Sequence, residues 1–211
     1  MSLVELIAQA DGRALAASGL ACLDRCVPVL GGDTCEGSGG DDVLRPLWGS
    51  LADGDEWGGR LEKARAAFGA GIPVSGAALG AGTPVRGDDG EGPALVRRML
   101  DAAPDRLPGD EDTGPLAGSL REWADACSVA ALQIHRLLDI PGGGEASVTA
   151  RREGRTEGMS PLVAAELRRQ ITILELLAER GTGGLRQVLE VSTEGRRVLR
   201  AVVSRRARGR G

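Results

Sequence analysis

The chain has 211 residues, 42% of them hydrophobic and 27% charged, with a formal net charge of −4, which excludes a wholly disordered chain and one embedded in a membrane. His135 is the only histidine, so no H-E-x-x-H zinc site can be built by one chain, and the only lysine, Lys63, lacks the glycine spacing of a phosphate loop. Phe68, Trp48, Trp57 and Trp123 are the whole aromatic inventory, too few for stacking nucleic-acid bases.

The 33 glycines and 10 prolines predict long irregular stretches between packed elements. Arginine outnumbers lysine 25 to one, a bias that looks like the codon usage of a high-GC genome such as an actinobacterium's. The N-terminus has no basic n-region, and Asp11 and Arg13 interrupt any apolar h-region, so no secretory signal is read. No stretch reaches 18 apolar residues, and the expected compartment is the cytoplasm.

In chain order, Ser2 is a good N-cap, and Leu3, Ile7, Ala10, Ala14, Ala17 and Ala21 follow at three- and four-residue spacings. One helix is predicted over 2–30, ended by Pro28 and Gly31-Gly32. Residues 42–68 carry Leu44, Leu47, Trp48 and Leu51, then a break near Gly54, then Trp57, Leu61, Ala64 and Phe68, which predicts a helical hairpin or a kinked pair. An internal duplication follows, Gly69–Gly76 recurring as Gly80–Gly87 with six of eight positions identical. Its prolines hold the preceding residues out of the helical region, and it reads as a surface loop.

A short helix is predicted over 91–103 and a long one over 114–139, where Leu116, Leu120, Trp123, Cys127, Ala131, Ile134 and Leu138 form the strongest periodicity in the chain. Residues 141–159 read as a flexible linker. Ser160 and Pro161 open a helix to about residue 180 whose apolar residues, Ile173 and Leu176 included, cover more than one stripe and suggest a second packing surface. Val188–Val191 and Val198–Val203 flank a turn-like Ser192–Gly195; a β-hairpin is preferred there to two short helices. The predicted fold is therefore mainly α, a helical bundle with Gly/Pro-rich loops and a small C-terminal β-hairpin. Its divisions are a helical core over 1–140, the linker, a C-terminal unit over 160–203 and a basic tail over 204–211.

Candidate chemistry is sparse. Cys22 and Cys26 lie one helical turn apart, Cys35 follows, and Cys127 shares a helix with His135, which makes five candidate soft-metal donors. Zinc takes four converging donors, usually with a C-x-x-C-type knuckle. Cys22, Cys26 and Cys127 instead fall on apolar stripes, where a thiol packs as a small hydrophobe. His135 borders its core stripe with Asp139 in reach to favour the imidazolium. No catalytic set is assigned and no cofactor is expected.

Charge distribution points to a partner. Residues 195–211 hold Arg196, Arg197, Arg200, Arg205, Arg206, Arg208 and Arg210 and no acid, which leaves −11 on residues 1–194. Such an arm suits an acidic protein, a neighbouring copy of the chain or nucleic acid. The expectation is a non-enzymatic accessory or regulatory protein that binds another protein, itself included as a homodimer. The alternatives are a DNA-binding regulator using residues 160–211, as a winged helix with the hairpin for a wing, and a metal- or small-molecule-binding helical domain.

Overall fold

Ser2 begins the first helix with a capping box: its hydroxyl accepts from the Glu5 amide while the Glu5 carboxylate accepts from its own. The computed structural model describes residues 1–30, 39–54, 56–69, 88–107, 114–139 and 148–209. The helix from Ser2, α1, runs only over Leu3–Gln9, and a second, α2, covers Gly12–Cys26. The single helix expected over 2–30 is thus two. Ala10 is extended, and Asp11 caps α2 by accepting from the Ala14 amide at 2.7 Å, so a local cap overrides the continuous apolar spacing. A 3-10 turn over Val27–Leu30 follows.

The block near 42–68 is two helices, α3 (Gly39–Asp53) and α4 (Trp57–Gly69), separated where Gly54 and Glu56 both take positive φ. Helix α5 covers Asp88–Asp101 and α6 covers Pro115–Leu137. Within the stretch expected as a linker, Val148–Arg152 form α7 with Arg151 and Arg152 buried. The duplicated segment lies outside the described residues apart from Gly69, the last residue of α4.

Helix α8 (Pro161–Arg180) starts as expected, with Ser160 capping the Val163 amide and Pro161 at its first position. Gly181, at φ +53, turns the chain through Gly181–Gly184 into α9, which covers Leu185–Arg208. The expected β-hairpin is absent; its two strands and turn are one helix. The β-branched residues favour strand locally, but Leu185, Val188, Ser192, Gly195, Arg196 and Leu199 repeat at helical spacing, and that face is buried. Packing of one face decides over propensity.

At the centre is α2, buried at every residue from Ala14 to Cys26 and packed against α3, α6, α8 and α9. Gly19 lets α6 approach: a Cβ there would stand 2.5 Å from the Trp123 ring. The Trp123 indole donates to the Met99 carbonyl at 2.8 Å and meets the Trp57 ring edge-on, with centroids 6.4 Å apart. Ile173, Leu174 and Leu177 of α8 are buried, and Leu176 packs partly buried against the same core, so the second apolar surface expected on α8 is taken up within the chain. Among the described residues the exposed large hydrophobics are Met1, Val4 and Val198. None of the described helices is long and apolar enough to cross a membrane.

Candidate functional site

Polar residues in the apolar phase of three helices meet inside this bundle. On α2, Arg25 follows Cys22 by three residues and turns the same way. On α8, Glu166 and Gln170 continue the buried row of Val163, Ile173 and Leu177. Arg25 and Glu166 both have side chains with no exposed surface, and they pair through two nitrogens: Nη2 donates to Oε1 at 2.6 Å and Nε to Oε2 at 2.9 Å. A bidentate guanidinium–carboxylate pair is the geometry in which burial of two charges is best offset.

The pair is extended on both sides. Arg25 Nη2 also lies 3.4 Å from Cys22 Sγ. The Gln170 amide donates to Glu166 Oε1 at 2.9 Å, and Ser128 on α6 donates to Gln170 Oε1 at 2.7 Å. Arg152 of α7 donates to Ser128 Oγ at 3.1 Å and pairs with Asp125, so the chain of hydrogen bonds reaches the surface there. A second buried cluster fixes α9 to α2: Asp24 accepts from Ser192 at 2.7 Å and from Arg196 at 2.6 Å.

His135 stands beside Glu166, its Nε2 3.5 Å from Oε2, while its Nδ1 lies 2.7 Å from the Ala131 carbonyl oxygen. Enclosure by α2 and α8 makes it a core residue, not the stripe-border residue the sequence suggests, and the carboxylate facing it is Glu166. Burial pushes its pKa down. Glu166 and the Ala131 hydrogen bond push up without overcoming that, and the charges of Arg25 and Arg169 add to the lowering. The neutral ring is therefore favoured, where the sequence spacing suggested an imidazolium. Burial alone would raise the Glu166 pKa, but the Arg25 charge, then His135 and the hydrogen bonds, hold it down to about 2.

Cys22, Cys26 and Cys127 are buried free thiols. Desolvation dominates all three, raising Cys22 to about 12 and the other two well above the ordinary value, so none is a ready thiolate. Among the described residues no three His, Cys, Asp or Glu side chains are placed to hold a metal ion. Cys35 lies outside the described residues.

The seven C-terminal arginines separate into distinct roles. Arg196 is buried on Asp24, and Arg206 is partly buried and donates to the Leu137 carbonyl at the end of α6. Arg197, Arg200, Arg205 and Arg208 are exposed on α9, and Arg210 is outside the described residues. The segment expected as a tail from residue 204 continues α9 to Arg208.

Sequence reasoning missed Asp24, Arg25, Arg152, Glu166 and Gln170. The available signal was phase: a charged residue spaced three or four from buried apolar neighbours on both sides needs a buried partner. Compared with protein-family models, curated proteins and solved structures, the chain matches none of them.

Proposed function

We propose that the chain is a non-enzymatic accessory or regulatory protein of the cytoplasm that binds an acidic protein surface through the C-terminal half of α9. The observation that carries this reading is the exposure of Arg197, Arg205 and Arg208 on a helix whose last 14 described residues, 196–209, contain no acid. The opposite face of α9 is anchored in the core by Leu199 and by the Arg196–Asp24 pair, so the arginines stand on a fixed scaffold. Arginine suits such a role because its planar fork pairs with carboxylates at low desolvation cost.

A protein partner is favoured over nucleic acid by the −11 carried on residues 1–194, which repels a polyanion that extends beyond the contact. The winged-helix form of the DNA reading needed a hairpin, and those residues are helical. The three buried free thiols suit a reducing compartment. A second copy of the chain has the required acidity, but the few large hydrophobics exposed among the described residues give little apolar area for a stable dimer.

The test is a titration of the full chain, by fluorescence anisotropy over a series of salt concentrations, with labelled polyglutamate short enough to lie on the arginine face and with duplex DNA long enough to extend beyond it. Salt-sensitive binding of polyglutamate, lost in R197E/R205E/R208E, is expected. Absence of binding, equal binding by the triple variant, or preference for the duplex overturns the reading.

A further inference from the structure

Gly195 sits in the interior of α9, where glycine costs about 1 kcal/mol relative to alanine. The reason lies across the helix interface. A Cβ at residue 195 would stand 2.4 Å from Cδ of Arg25 on α2 and 3.0 Å from Cδ of Arg169 on α8. Two arginine stems from two helices therefore run side by side through the notch the glycine leaves.

Each of these arginines carries a buried nitrogen that nothing satisfies. Nη1 of Arg25 and Nη1 of Arg169 are enclosed and have no hydrogen-bond partner among the described residues. Arg25 Nε and Nη2 are turned to Glu166, and Arg169 Nη2 is turned toward Glu194 at 3.9 Å. A buried donor left unpaired costs about 1–3 kcal/mol, more on a charged group. Each calls for an acceptor, and the two stems that carry them pass the same glycine.

Local charge calls for the same thing. Arg25 is wholly enclosed, and the Arg169 side chain is 15% exposed. Of the carboxylates described around them, Glu166 is buried and committed to Arg25, Glu194 is 76% exposed, and Asp24 is engaged by Arg196 and Ser192. The one carboxylate buried beside these two cations is Glu166, and the charges of both arginines reach the neighbouring His135, where Glu166 opposes them. Arg169 is thus answered only by an exposed carboxylate at 3.9 Å, and an anion bound beside its enclosed nitrogen would be stabilised.

We propose that Arg25 Nη1 and Arg169 Nη1, beside Gly195, form a binding site for one small oxyanion, such as inorganic phosphate or the carboxylate of a small acid. The guanidinium donors match oxyanion acceptors, and the absence of a side chain at residue 195 is what lets both arginine stems pass there. Because Arg169 reaches the surface and Arg25 does not, an anion arriving from solvent meets Arg169 first. Binding ties α2, α8 and α9 together at the point where α9 crosses α2, so occupancy stabilises the docking of α9. The site shares no residue with the exposed arginine face of α9.

The experiment is thermal unfolding of the full chain in a cationic buffer with increasing inorganic phosphate, sulfate or acetate, each against sodium chloride of matched ionic strength. A saturable rise in Tm above the salt control is expected, following the logarithm of ligand concentration over Kd, with one phosphate or acetate per chain by calorimetry. Response to phosphate and sulfate, or to acetate alone, distinguishes a tetrahedral ligand from a carboxylate. Arg169→Gln removes the rise. Arg169→Lys keeps stem and charge but not the fork, and shifts the midpoint to about tenfold higher anion concentration. R197E/R205E/R208E retains the rise, which separates this site from the surface face. No rise with any of the three anions, or a rise that survives Arg169→Gln unchanged, overturns the proposal.

Discussion

Arg25 and Glu166 are 141 residues apart in the chain and meet at 2.6 Å with no exposed surface on either side chain. They join the central helix α2 to α8, and every other polar group of the interior network reaches them through Glu166 or lies against them. The pair is neutral as a unit, but each half alone is a buried charge, and that asymmetry governs how the protein responds to substitution.

Glu166→Gln leaves Arg25 charged, buried and without its carboxylate, and is expected to lower stability by about 3–5 kcal/mol. Arg25→Met is expected to cost a similar amount. R25M/E166L removes both charges and is expected to recover most of the loss, because the apolar pair needs no partner. Urea unfolding of the three variants measures the coupling directly.

Acid should unfold the protein in two overlapping stages. The folded pKa of Glu166, about 2, lies below its ordinary value of 4.5, so the stability it contributes is complete above 4.5 and is lost as pH falls toward 2. His135 is also lowered, from 6.5. The unfolded chain therefore takes up that proton first, and stability starts to fall once the pH drops below 6.5, by up to about 1.4 kcal/mol per pH unit. His135→Asn is expected to flatten the profile above pH 4.5 and to leave the lower stage in place, as read by chemical unfolding at stepped pH.

Adjacent arginines of α9 should behave in opposite ways. Arg196→Ala removes the cation paired with Asp24, which is 1% exposed and keeps the Ser192 hydroxyl as a donor, and is expected to cost about 3 kcal/mol. Arg197→Ala, on the exposed face, is expected to change stability by no more than about 0.5 kcal/mol. Thermal unfolding of the two variants separates anchoring from surface arginines, and salt-dependent polyglutamate binding should move only with the second.

The thiols of Cys22, Cys26 and Cys127 are expected to resist iodoacetamide at pH 8 in the folded chain and to react in denaturant, since burial raises all three pKa values and blocks access. Peptide mapping after timed alkylation reads each cysteine separately. Modification of any of the three at the denatured rate would show that α2 or α6 opens readily at that point.

The features readable along the chain are those written within a few residues of one another. Ser160-Pro161 marks the start of α8, Gly54 lies in the break between α3 and α4, and the spacing from Leu120 to Ile134 marks α6, because caps, glycine torsions and helical periodicity act over one or two turns. Tertiary structure decided the rest. Residues 185–208 carry enough β-branched side chains to read as strands, and only the apolar and small surface offered by α2 and α8 selects the helical face of Val188, Ser192 and Leu199. The interior network was hidden for the same reason: Arg25 and Glu166 are each ordinary surface residues by type, and the Coulomb energy that permits their burial exists only after the 140 residues between them have folded to bring them to 2.6 Å. A charge in the wrong phase of a helix is legible in one dimension, but which charge answers it is settled by the packing of the whole bundle.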